Sequence, residues 1–198
     1  MAHDRIVDLY ERTAAAWDAA RTLPTSEEQP HLDAFADALI PSAAVLDIGC
    51  GTGVPARGLI ARGFALTGVD SSPAMIALCR ERFPDAAWHV ADMRTLSLGR
   101  RFDGLLAWHS FFHLSPADQR AMFPIFARHA ASGGLLMFTS GDDQGIAMGE
   151  WQGEPLYHAS LAQAEYRALL ADNGFEVLSF KTGENGATGP TVWLARRL

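Results

Sequence analysis

Cysteine is nearly missing from this 198-residue chain: Cys50 and Cys79 are the only two. They form no CxxC pair and join no metal-ligand cluster, so neither a zinc centre nor a disulfide framework is expected. Reduced thiols make the cytoplasm the expected location. Long apolar runs are missing too. No stretch approaches the ~18 residues that would cross a bilayer. Met1 to Arg5 run into an amphipathic pattern with no apolar signal region. Excess positive charge is also lacking, since the formal net charge is −7. Such a balance repels polyanions, which argues for a small-molecule or protein substrate and against nucleic acid as a partner. There is no repeat, no low-complexity tract and no clear domain boundary; the weakest join is 22–30. What remains is ordinary for one globular domain: 48% hydrophobic and 20% charged residues.

Strand and helix patterns alternate along the chain. Ile6, Leu9, Tyr10, Thr13 and Trp17 recur at helical spacing after Asp4, a candidate N-cap. A polar break over 22–29 leads to a short helix carrying Leu32, Phe35, Ala36 and Leu39. Apolar runs at 43–49, 65–70, 87–91, 102–107 and 135–139 read as buried strands. Helices are expected between them, opened by Ser72-Pro73 and Ser115-Pro116 as N-cap pairs, the second helix ending at Gly133-Gly134. Ser160 with Gln163 reads as a capping box for a helix through Tyr166, Leu169 and Leu170. Phe175–Phe180 and Thr191–Ala195 close the chain as two strands joined by a Gly- and Asn-rich loop. The predicted fold class is α/β, a doubly wound, mainly parallel sheet with an antiparallel hairpin at one edge.

The first strand breaks into Asp47-Ile48-Gly49-Cys50-Gly51-Thr52-Gly53, and the second ends in Asp70. A strand, a glycine-rich turn, a helix and then an acid at the next strand end is the layout of a nucleoside-cofactor site. Glycines let a ligand lie against the backbone, and a helix N-terminus favours a carboxylate or phosphate. The dinucleotide fingerprint G-x-G-x-x-G is not met, because Val54 stands at its third glycine.

The spacing G-x-G-x-G resembles the first motif of the class I S-adenosylmethionine-dependent methyltransferases, and the resemblance extends from Val45 to the terminal hairpin. It implies a Rossmann-like seven-stranded core over 42–198 with a helical cap over 1–41, in one domain. It implies S-adenosylmethionine as cofactor and direct S_N2 transfer of its methyl group to a small organic acceptor. By resemblance, Gly49, Cys50, Gly51 and Gly53 shape the pocket for the methionine half, with Asp47 near its ammonium. Asp70 accepts hydrogen bonds from the ribose, and Ser71 lies near the adenine. Asp92 and Met93 form an adenine-binding turn. Tyr10 and Trp17 belong to a lid. Met75, Ala107 and Trp108 complete the expected cofactor set. An NAD(P)-dependent oxidoreductase and a non-catalytic cofactor-binding protein are the rival readings.

The segment Trp108 to Leu114 follows the fourth strand at the edge where doubly wound sheets bind ligands. Its aromatics suit an apolar acceptor or a sulfonium. His109 and His113 are candidate general bases, since imidazole titrates near neutrality. A structural role, capping the loop or packing on the sheet, is the commoner reading for either, and His109 is the better placed as base because it lies nearer the strand end. Their i, i+4 spacing lacks the Glu of a metalloprotease helix, Ser110 standing in its place, so no metal is expected. Asp142, Asp143 and His158 are weaker candidates on the same edge. No Asn/Asp-Pro-Pro-Tyr sequence follows the fourth strand.

Overall fold

The computed structural model describes residues 5–182 and 190–198. Asp4, the candidate N-cap, and most of the loop joining the last two strands lie outside them.

Seven strands form one sheet in the order β3-β2-β1-β4-β5-β9-β8. They are β1 (Ala44–Ile48), β2 (Ala65–Asp70), β3 (Ala87–Val90), β4 (Phe102–Ala107), β5 (Ala130–Ser140), β8 (Phe175–Lys181) and β9 (Thr191–Arg197). The pairs among β1 to β5 are parallel, while β9 runs antiparallel to both β5 and β8. The helices are α1 (Ile6–Ala20), α2 (Gln29–Asp37), α3 (Val54–Ala61), α4 (Pro73–Arg82), α5 (Pro116–His129) and α6 (Gln163–Asp172).

Side chains alternate across each strand, so the apolar runs serve two cores. Leu46, Leu105, Leu136, Phe138 and Trp193 face one core, which holds Phe123, Phe126 and Tyr166 of α5 and α6. Val45, Leu106, Met137 and Val192 face the other, against Phe35, Leu59 and Ile76 of α2, α3 and α4. Phe138 and Trp193 stack at 5.8 Å between ring centroids, joining β5 to β9.

Ser72 and Ser115 cap α4 and α5 as expected, accepting hydrogen bonds from the Met75 and Asp118 amides. Three local expectations are corrected. Helix α5 ends at His129 rather than at Gly133-Gly134, and those glycines sit inside β5, past an irregular register between β4 and β5. The Ser160–Gln163 capping box does not form. Ala162 is the N-cap of α6, and the Ser160 hydroxyl accepts from the Gly141 amide at 2.6 Å. Residues 145–160, to which the sequence pattern assigns no element, form a separate antiparallel hairpin, β6 (Gly145–Trp151) and β7 (Glu154–Ser160). Its turn, Gln152-Gly153, has φ of 53° and 78°, the paired positive values of a two-residue hairpin turn.

Chain order reverses between β1 and β4, so their carboxyl ends open a crevice at the topological switch point. The glycine loop, the end of β2 and the segment after β4 all meet there.

Candidate active site

A cavity of about 210 Å³ occupies this crevice. Its walls include Gly49, Cys50 and Gly51 after β1, Asp70, Ser71 and Met75 after β2, and Asp92 and Met93 after β3. Trp108, His109 and His113 follow β4, and Tyr10 and Trp17 of α1 close the opposite side. Asp47, Gly53 and Ala107, also expected in the site, do not line it. Ala107 is fully buried in the sheet, and Gly53 packs against Phe83 and Cys79.

The glycine loop works differently from the simple expectation of a bare backbone cradle. Gly49, at φ 73°, is demanded by a protein neighbour: a Cβ there would stand 2.3 Å from the Ser110 Cβ. Ser110 is held in place by donating to the Ile48 carbonyl at 2.6 Å. Only Gly51, at φ 52°, opens toward the cavity, with Trp17 3.9 Å from where its Cβ would be. Most loop amides are already committed. Gly49 and Cys50 both donate to the Val69 carbonyl, and Gly53 donates to Cys50. The Gly51 amide donates to Asp70 Oδ2 at 2.9 Å. The loop therefore presents a carboxylate more than a set of free amides.

Asp70 is fixed at its other oxygen by the Ser72 amide, at 2.9 Å. Burial raises its pKa, opposed by these backbone hydrogen bonds. Behind the loop, Asp47 is 1% exposed and neither oxygen has a hydrogen-bond partner among the described residues. Burial, and then the charge of Asp70, push its pKa up to about 8. Two acids thus sit under the loop, and Asp47 has no hydrogen-bond partner among the described residues. At the next strand end, Asp92 caps a 3-10 turn (Met93–Thr95) and pairs with Arg94 at 2.6 Å, which lowers its pKa.

Helix α1 is fastened over the cavity from both sides. Glu11 accepts from the Ala74 amide at 2.9 Å and from the Ser72 hydroxyl, and Asp18 pairs with Arg82 at 2.7 Å. Toward the hairpin, Arg12 donates to both oxygens of Glu154, and Trp151 Nε1 donates to Thr13 Oγ1 at 3.0 Å. Trp17 meets Trp151 edge-on at 5.0 Å and Tyr10 at the same distance.

The two histidines differ sharply. His113 is buried, with Nδ1 2.8 Å from the Tyr157 carbonyl and Nε2 3.1 Å from the Tyr10 hydroxyl. A carbonyl only accepts, so Nδ1 carries the proton and Nε2 receives one from Tyr10. Burial pushes the His113 pKa down to about 3 and raises that of Tyr10. His109 adopts φ 48°, a backbone region that non-glycine residues seldom occupy. Its amide donates to Thr139 Oγ1, and its Nε2 lies 2.6 Å from Glu28 Oε1. Glu28 is 4% exposed and also accepts from Arg21 and from the Thr25 amide, each at 2.9 Å. Burial alone would raise its pKa, but the bonds to His109, Thr25 and Arg21 prevail and hold it at about 2.

Glu28, Arg21 and the hairpin were absent from the expected site. Glu28 lies in the polar break 22–29, 81 residues before its histidine. A second cavity, about 450 Å³, lies beyond Phe112 and is lined by His158, Asp142, Asp143 and Ser160. The rings of His113 and His158 are 4.9 Å apart between the two spaces.

Known proteins resemble this chain in sequence and in fold. Residues 45–134 match the model of a family described as "Methyltransferase domain". The chain is 35% identical over 188 residues to a trans-aconitate 2-methyltransferase from Methylobacterium nodulans, covering 85% of this chain and 72% of that protein. It is 38% identical over 98 residues to dTDP-3-amino-3,6-dideoxy-alpha-D-glucopyranose N,N-dimethyltransferase from Streptomyces fradiae, spanning 48% of this chain but only 38% of that protein. Among solved structures, the SAM-bound magnesium protoporphyrin IX methyltransferase of Synechocystis superposes with a TM-score of 0.78 at 17% identity, covering 100% of this chain and 98% of that one. The SAM-bound amino pentose methyltransferase CalS10 of Micromonospora echinaspora gives 0.72 at 24% identity, covering 93% and 95%.

Proposed function

The chain belongs to the S-adenosylmethionine-dependent methyltransferases, and from that premise we propose that it methylates a small organic acceptor held in the crevice beneath α1. The observation that carries the reading is the pinning of Asp70. One amide from the glycine loop and one from the following turn each occupy one lone pair of its carboxylate. The remaining lone pairs stand at the cavity wall, suited to two neighbouring ribose hydroxyls. Gly51 is open beside it, and the unpartnered Asp47 lies behind, where an ammonium group would relieve its burial.

S-adenosylmethionine supplies a methyl carbon already activated by a positive sulfur. The chain's own work is alignment and exclusion of water. Tyr10, Trp17 and Trp108 offer ring faces to a cationic centre. Ser71, Asp92 and Met93 serve the adenine end, with Asp92 sharing its charge with Arg94. Cys50 and Met75 fill the apolar floor, while Gly49, Gly53 and Ala107 shape the walls from behind. His113, neutral and engaged at both nitrogens, positions Tyr10 and fixes the lid. His109 is the histidine suited to take a proton.

A small acceptor fits the net charge of −7 and the names of the relatives, which act on a nucleotide sugar and on trans-aconitate. Among the described residues no helix is long and apolar enough to cross a membrane. We place the protein in the cytoplasm, in keeping with two free thiols at Cys50 and Cys79. The test is calorimetric titration with S-adenosylhomocysteine, with NADH as control. Binding of the former alone is expected, and binding of NADH alone would overturn the reading.

A further inference from the structure

The contact between Glu28 and His109 fixes more than a position. A carboxylate can only accept hydrogen bonds, and Glu28 is buried, 2.6 Å from Nε2. The proton on a neutral His109 ring must therefore sit on Nε2. That leaves Nδ1 as the unprotonated nitrogen. No hydrogen bond to it exists among the described residues, and the ring lines the cavity beneath α1. The backbone holds this ring at φ 48°, an uncommon conformation pinned by the amide bond to Thr139.

We propose that Glu28 is a positioning residue that locks His109 as a general base acting through Nδ1, and that the acceptor therefore belongs to the class that must shed a proton as it is methylated, a hydroxyl before all others. This rests on the methyl-transfer reading above. The acceptor's O–H bond breaks, its proton goes to Nδ1, and its electron pair stays on oxygen to form the new bond to carbon. The methyl carbon's former bonding pair remains on sulfur. The imidazolium so formed has Glu28 against its far side, and Arg21 balances that carboxylate from behind. His113 and His158 are the other titratable groups near the ring; His113 contributes no charge when neutral. An acceptor that arrives already ionised, such as a carboxylate of trans-aconitate, would make no use of this pair, so the proposal sets this chain's acceptor apart from that relative's.

The test is nitrogen-15 NMR of the histidine-labelled protein, wild type and Glu28→Gln, with S-adenosylhomocysteine calorimetry on both. Wild-type His109 should show a protonated Nε2 and a bare Nδ1 in its neutral form. In Glu28→Gln, whose neutral amide oxygen is a weaker acceptor than a carboxylate, the share of the tautomer protonated on Nδ1 should rise several-fold, while cofactor-product affinity stays within twofold. A wild-type proton on Nδ1 overturns the proposal, even if the variant fails to fold. An unchanged tautomer ratio in a folded variant overturns the role of Glu28. Failure of the wild type to bind S-adenosylhomocysteine, with the tautomer as expected, defeats the methyl-transfer reading and the acceptor class with it, but leaves the locked ring standing.

Discussion

Asp47 is a buried acid with no hydrogen-bond partner among the described residues, and replacing it by Asn should stabilise the protein above neutral pH. In the unfolded chain this acid ionises with the ordinary pKa of 3.8; in the fold the value is about 8. The folded state therefore binds a proton that the unfolded state releases between these limits. Its stability is full below pH 3.8 and is lost as pH rises through 8. At about 1.36 kcal/mol per unit, the cost at pH 7 is roughly 4 kcal/mol. Asparagine has nearly the same shape and no charge to lose. It still buries an unpartnered amide, which takes back about 1–3 kcal/mol. The net gain is thus about 1–3 kcal/mol at pH 7 and grows toward pH 8, whereas at pH 4 the variant should be the weaker protein. Urea denaturation from pH 4 to pH 8, followed by tryptophan fluorescence, measures the difference between the two proteins. Groups common to both cancel. A difference that stays flat across that range would refute the reasoning, because it would mean that Asp47 meets water or a partner in the fold.

Asp70→Ala should weaken S-adenosylhomocysteine binding by about 1–3 kcal/mol in calorimetry, since the hydrogen bonds to the ribose are lost. Unchanged affinity in a folded variant would remove Asp70 from the ribose site. His113 has a folded pKa of about 3 against 6.5, so the unfolded state binds the extra proton between them and stability falls as pH drops from 6.5 toward 3. His113→Gln should flatten that acid slope in denaturation experiments; an identical slope would place the charge change elsewhere. Trp151→Ala should cost about 2 kcal/mol, less than a fully buried tryptophan, and raise hydrogen exchange in α1 and β7 while leaving β1 and β4 protected.

The parts of the fold that could be read from the chain are those with short-range causes. β2 and β4 begin and end where their apolar runs do, because a parallel strand buried on both faces must be apolar throughout. Ser72 and Ser115 announce their helices because a cap is a contact over three residues. The failures come from competition. Ser160 carries a capping signature, but its hydroxyl is taken by Gly141 from the neighbouring strand end. Gly133-Gly134 resembles a helix stop, yet the chain has already left the helix at His129. The hairpin was overlooked because β6 leaves Ile146 and Met148 in solvent, so its alternation never separates an inner from an outer face. At the site, local motifs located the glycine loop and the strand-end acids. They were silent on Glu28, whose meaning depends on a histidine far along the chain and on the turn that brings the two together.

The hairpin β6–β7 pairs only with itself and shares no register with the seven-stranded sheet. A lone two-stranded ribbon is marginal in water, so it stands by its fastenings to α1, to His113 and to the strand ends beneath it. Its residues reach the crevice through α1 and His113: Trp151 meets Trp17, Glu154 accepts from Arg12, and the Tyr157 carbonyl lies against His113 Nδ1. The seat of α1 over the crevice is therefore set by a ribbon that forms no ladder with the main sheet among the described residues.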